Sequence, residues 1–160
     1  MREEKIIIED LPVTDKFLRQ KRLLQPRGEL ALIEDGENFK HLGYFSLKKG
    51  ESHYRGGHYH AKKVEHFYII SGKLNVSLVD LDTGKRSELE LHEGQRVIIY
   101  PRCAHRFKAV EDAQVIEYYD CTYDLDDDIA YRGFWQDKPG RMHLQGREGK
   151  NLGANIDNRR

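Results

Sequence analysis

Residues 50–72 read GESHYRGGHYHAKKVEHFYIISG, and this stretch decides the fold. His58 and His60 stand two apart, so on a strand both side chains point to one face. Glu65 follows five residues after His60, and Gly72 closes the next apolar run in a turn. Downstream, Gly94, Pro101 and His105 form a second cluster with the spacing G-x6-P-x3-H. Three imidazoles and one carboxylate converging from two strands would make a four-ligand site, His58, His60, Glu65 and His105, with room left for water or substrate. Imidazole suits Zn, Cu, Fe and Ni, while carboxylate and water suit Mn and Mg. The set therefore names a class, one divalent transition metal (Zn, Fe, Mn or Ni), and leaves its identity open. An H-x-H pair is expected by chance roughly 0.4 times in such a chain, and adding the Glu and Gly at fixed offsets lowers this to roughly 0.003.

Around this stretch the chain breaks into short β-like runs: His41–Leu47, Glu65–Ser71, Lys73–Leu81, Ser87–Leu91, Arg96–Tyr100, His105–Val110 and Ala113–Asp120. Turn signals such as Gly56-Gly57, Ser71-Gly72, Asp82-Thr83-Gly84 and Glu93-Gly94 separate them. Short strands at close spacing argue for an all-β sandwich or barrel, and no strand–helix alternation supports a parallel sheet. Leu74, Val76 and Leu78 share one strand face, and His105, Phe107 and Ala109 share another. Asp15–Leu24 has partial helical spacing, confined to a short piece by Pro12 and Pro26. The acidic run Asp126–Asp128 reads as a solvated loop or helix start. The Gly146–Lys150 segment lacks phosphate-loop spacing. The organisation expected is one domain over 1–160: a barrel at about 41–123, an N-terminal arm 1–40 and a polar C-terminal extension 124–160.

The chain has 160 residues, with 27 basic and 27 acidic side chains and eight histidines. A zero formal balance argues against a general nucleic-acid binder, which needs a basic surplus. No apolar run approaches the roughly 20 residues that cross a membrane, and the N-terminus lacks the apolar centre of a signal peptide. The expectation is a cytoplasmic protein without nucleic-acid or membrane partners. Cys103 and Cys121 are too few for a disulfide framework and read as two ordinary thiols.

His58-x-His60-x4-Glu65-x6-Gly72 resembles the first motif of the cupin superfamily, and Gly94 through Pro101 to His105 resembles the second. The resemblance covers roughly residues 43–120 and implies a double-stranded β-helix, or jelly roll, usually dimeric. Cys103 stands near where the second motif prefers glycine, Pro101 is displaced by one residue, and Ala109 replaces the closing Asn. A small backbone adjustment in that turn is expected. Arg55-Gly56-Gly57-His58-Tyr59-His60 resembles the RG-x-H-Y-Q motif of dTDP-4-dehydrorhamnose 3,5-epimerases and the RGGHAH of nucleotide-sugar 3,4-ketoisomerases. Ile99–Phe107 resembles the IPRGFAHGF segment of the same epimerases, and Glu65–Gly72 resembles a segment of mannose-phosphate isomerase-like cupins.

These resemblances imply a sugar isomerase or epimerase acting beside a carbonyl of a nucleotide-sugar or phospho-sugar. A base must remove a proton from carbon, and a histidine near neutral pKa suits that task. The epimerase resemblance puts His58 there, and it puts the acid at Tyr123 or, by strict pairing, at Asp124. The epimerases have Gln where this chain has His60 and use no metal. If His58 is a ligand here, His53, Tyr123 or Glu117 would move the proton. Arg55 would hold an anionic group, as a planar fork suits phosphate and carboxylate. Tyr100 and Phe107, with Tyr44, Phe67 and Trp135, are candidates for a sugar-stacking wall. His66 is out of phase with Glu65 and should face away, while His41, His92 and His143 show no partner signal. Other cupin chemistries remain open: a metal-dependent dioxygenase or lyase, or a non-catalytic small-ligand binder. Open sheet edges imply a homodimer, with Ile6-Ile7-Ile8 as a strand to exchange or pair with a neighbour.

Overall fold

The computed structural model describes residues 4–135. The polar tail from 136 onward, with His143 and Gly146–Lys150, lies outside the described residues. Ten strands run in the order β1 (Ile6–Asp10), β2 (Lys21–Gln25), β3 (Gly28–Leu32), β4 (His41–Leu47), β5 (Arg55–Tyr59), β6 (Glu65–Asp80), β7 (Arg86–His92), β8 (Gln95–Ile99), β9 (Cys103–Tyr119) and β10 (Ile129–Ala130). The helical content among the described residues is two 3₁₀ turns, Leu125–Asp127 and Arg132–Phe134. No helix there is long and apolar enough to cross a membrane.

Two long strands organise the molecule. β6 and β9 pair antiparallel from His66↔Tyr118 to Asp80↔Cys103. The first half of β6 also pairs with β8, and its second half pairs with β7. Likewise β9 pairs first with β5 and then with β4. The two strands thus bend through both faces of a double-stranded β-helix. What the sequence divides at Gly72 and at Glu111–Asp112 is in each case one continuous strand. Gly72, at φ +83°, lets β6 bend, and register shifts there change which side chains face inward. Glu65, Phe67 and Ile69 point in before the bend, and Leu74, Val76 and Leu78 after it. Between the two faces Phe67, Ile69, Leu74, Val76 and Leu78 pack with Leu47, Leu91, Val97, Ile99, Phe107 and Val115 into one core.

The N-terminal segment differs from its sequence reading. Ile6-Ile7-Ile8 pairs with β8 of its own chain, Ile6 opposite Ile99 and Ile8 opposite Val97. Ile6 and Ile8 pack onto the core, so part of the expected arm belongs to the barrel sheet. No helix forms within Asp15–Leu24. Lys21–Gln25 is a strand paired with β3, and Phe17 is 91% exposed, so its apolar spacing marks no buried face. At the other end β10 pairs with β5, carrying the sheet past residue 123.

Candidate functional site

The pairing of strand β5 with β9 runs from Arg55 opposite Phe107 to His58 opposite His105. A bulge lies between, at Gly56 (φ +75°) and Gly57 (φ +89°), a backbone region that glycine enters without strain. The extra residue lets Arg55 and His58 both line one cavity although they are three apart. His60 follows directly after the strand. Glu65 opens β6 and His105 lies near the start of β9. The ligand atoms of His58, His60, Glu65 and His105 all lie within 4.8 Å of one another, as the spacing predicts.

Each imidazole is held from behind. His60 Nδ1 lies 2.5 Å from the carbonyl oxygen of Asp127, and His105 Nδ1 lies 3.2 Å from that of Cys103. A carbonyl only accepts, so these Nδ1 atoms carry a proton, and Nε2 is the atom of each ring that faces Glu65. His58 Nδ1 lies 2.5 Å from Asp128 Oδ1 and is fixed in the same sense. The front nitrogens meet Glu65, with His60 Nε2 at 3.0 Å from Oε1 and His105 Nε2 at 3.3 Å from Oε2. His60, Glu65 and His105 are buried, whereas a quarter of the His58 side chain faces solvent.

The electrostatics follow from this packing. Burial holds the His105 imidazole down at about 4, against the pull of Glu65, and so keeps it neutral. Burial also lowers His58, opposed by Asp128. For His60 burial acts downward, but the bond to Glu65 and its charge outweigh it and raise the pKa. Burial would raise Glu65, yet His105, His60 and Lys63 hold it well below the usual carboxylate range.

Above these residues opens a cavity of about 320 Å³, lined by Arg55, His58, Lys63, Phe107, Glu117 and Tyr123 among others. Phe107 forms part of its floor, edge-to-face with Phe67 at 5.2 Å. Tyr123 at the mouth donates its hydroxyl to Asp128 Oδ2 at 3.0 Å. Tyr44 also lines the cavity.

Three expected site residues are elsewhere. Tyr100 follows Ile99, which points into the core, and alternation turns it to the outer face. There it lines a separate hollow with His66 and Tyr118. His53 is exposed, its Nδ1 3.2 Å from the Lys48 carbonyl oxygen across the tight turn at Gly50. Trp135 packs on Tyr54 and Arg106 rather than on the cavity. His66 faces away as expected, stacked on Tyr118. The turn before His105 absorbs its departure from the cupin motif at Arg102, which takes the left-handed φ of 64°.

Sequence reasoning missed four contributors. Asp127 is buried, and its carboxylate accepts from the backbone N–H groups of Ala61 and Lys63 at 2.8 and 3.1 Å. Asp128 orients His58. His41 stacks on Tyr119 at 4.1 Å and approaches Glu117. Lys63 reaches Glu65. The acidic run Asp126–Asp128 is therefore partly built into the site rather than wholly solvated, because β10 carries it beside β5.

Residues 26–127 match the family model described as the polysaccharide biosynthesis C-terminal domain. The chain belongs to that family. No curated protein matches this member of the family by sequence. Solved structures match over nearly the whole fold. QdtA, a sugar 3,4-ketoisomerase from Thermoanaerobacterium thermosaccharolyticum in complex with TDP, is 18% identical, with 85% of this chain and 95% of that chain covered and a TM-score of 0.65. The dTDP-4-dehydrorhamnose 3,5-epimerase from Sulfolobus tokodaii is 22% identical over 86% of this chain and 82% of that one, also at 0.65. ChmJ, a 3'-monoepimerase from Streptomyces bikiniensis in complex with dTDP-quinovose, is 13% identical over 88% and 80%, at 0.66. At these identities the likeness establishes the fold: this family member has the jelly-roll architecture that these sugar isomerases and epimerases share.

Proposed function

We propose that this chain is a sugar isomerase or epimerase that moves a proton on a carbon beside a carbonyl, in a nucleotide-linked or phosphorylated sugar. The observation that carries the reading is His58, neutral, held by Asp128 and facing a cavity whose buried wall is His60, Glu65 and His105. The 3,4-ketoisomerases and epimerases that share the fold act on dTDP-sugars, which supports it.

His58 removes the proton through Nε2, since Asp128 keeps Nδ1 protonated and stabilises the imidazolium that forms. Tyr123, whose pKa is raised by its bond to Asp128, stays protonated and stands as the donor at the cavity mouth. Arg55 at the rim offers its planar fork to phosphate. Phe107 provides an apolar floor for the sugar ring.

The donor set fits a divalent transition metal. The donor atoms lie within 4.8 Å of one another, and the rings of His60 and His105 have Nδ1 fixed from behind by carbonyl oxygens, as metal-bound histidines do. His60, Glu65 and His105 would hold such an ion, which leaves the Nε2 lone pair of His58 free to take the proton. When bound, such an ion would polarise the substrate carbonyl as a Lewis acid.

The test is solvent exchange. The protein is incubated with TDP-4-keto-6-deoxyglucose in D₂O, and deuterium next to the keto carbon is followed by NMR. His58→Ala should abolish exchange while retaining most of the metal found by elemental analysis. His60→Ala should lose the metal. Wild-type protein that exchanges neither this sugar nor a panel of nucleotide-sugars and sugar phosphates would sink the reading.

A further inference from the structure

Lys63 has no part in the proton transfer described above, yet it lies in the centre of the site. Its side chain is 7% exposed, and Nζ is 3.2 Å from Glu65 Oε1. The same Nζ stands 4.1 Å above the centre of the Tyr119 ring. A buried ammonium requires a counter-charge, and here it takes an oxygen belonging to the metal-ligating set. His60 Nε2 approaches that same Oε1 at 3.0 Å. Two groups thus converge on one carboxylate oxygen, while His105 Nε2 approaches the other, Oε2, at 3.3 Å.

We infer that the Lys63 ammonium and a divalent metal ion are alternative counter-ions of Glu65, so that the ammonium must leave Oε1 for the metal to load. The inference rests on the metal reading of the site. A carboxylate–zinc bond is about 2.0–2.2 Å long. An ammonium 3.2 Å from that oxygen would stand within a few ångströms of a dication, in a pocket where water screens poorly. The lysine stem is long enough to swing, and Glu117 lines the same cavity as a second acceptor. Lys63 therefore weakens metal binding, and the protein exchanges its metal more readily than its donor residues alone would allow.

The full chain is titrated with Zn²⁺ against a chromophoric chelator at fixed pH. Lys63→Met and Lys63→Gln keep most of the stem and remove the charge. They should bind zinc at least about tenfold tighter than wild type, while Lys63→Arg should stay within about threefold. In the wild-type protein, acetylation of Lys63 read by mass spectrometry should rise when zinc is added. Equal or weaker zinc binding by the folded neutral variants, or unchanged acetylation, would overturn the competition. Zinc binding by none of the proteins would overturn the metal site as well. Neutral variants that fail to fold would show that the ammonium is a fixed structural ion, which equally overturns displacement.

Discussion

His58 and Asp128, seventy residues apart in the chain, form a 2.5 Å contact that settles what the histidine can do. A carboxylate on Nδ1 selects the tautomer with its lone pair on Nε2, the atom left to meet a substrate. Proton removal requires the neutral ring, so the exchange rate falls as pH drops through the His58 pKa. Burial places that pKa below 6.5, and the charge of Asp128 partly opposes the burial. Asp128→Asn removes the opposing charge, so the acid limb of the pH–rate profile should move to lower pH. The plateau should fall about 10- to 100-fold through lost orientation. An acid limb that stays in place or moves to higher pH would contradict this coupling. His58 itself was legible from the motif, but Asp128 was not: no spacing rule links an acidic run to a histidine seventy residues earlier.

At the scale of the element, the bend in β6 connects the site to the core. Glu65 begins the strand, and Leu74, Val76 and Leu78 fill the barrel beyond the bend, so one strand delivers both a buried site carboxylate and core residues. Gly72 makes this possible. A Cβ there would lie 2.1 Å from the Asp112 carbonyl oxygen and 2.8 Å from Ala113 Cα, at a φ unsuited to other residues. Gly72→Ala should cost more than about 2 kcal/mol, lowering Tm by at least about 5 °C in calorimetry. An unchanged Tm would mean that β6 can bend without glycine. The sequence marked Gly72 correctly as a break in the pattern but not the continuity of the strand through it. A bulge and a turn leave the same local signature, and only pairing with β9 distinguishes them.

For the whole molecule, the question is how the sheet edges are covered. β1 lies on β8, and Ile6 and Ile8 join the core. Ion pairs reinforce the attachment, Lys5 with Asp82 at 2.7 Å and Arg96 with Glu9 at 2.6 Å. Deleting residues 1–10 would expose the backbone of β8 and the apolar side chains beneath β1. The truncated protein should melt at lower temperature and self-associate with concentration in light scattering, because an open strand edge templates pairing. A truncated protein as stable and as dispersed as the full chain would refute this role for β1.

The all-β class and the convergence of His58, His60, Glu65 and His105 were legible in the sequence alone, because these depend on local alternation and on fixed offsets that strands translate directly into direction. The sequence also placed His66 on the outer face by parity alone. Only the tertiary structure decided the rest. It brought Asp127, Asp128 and Lys63 to the donors, removed His53 and Tyr100 from the site, and returned Ile6–Ile8 to its own barrel. Those outcomes depend on which strands pair and where they bulge. Pairing energy is summed over contacts far apart in the chain, so no local window of sequence contains it.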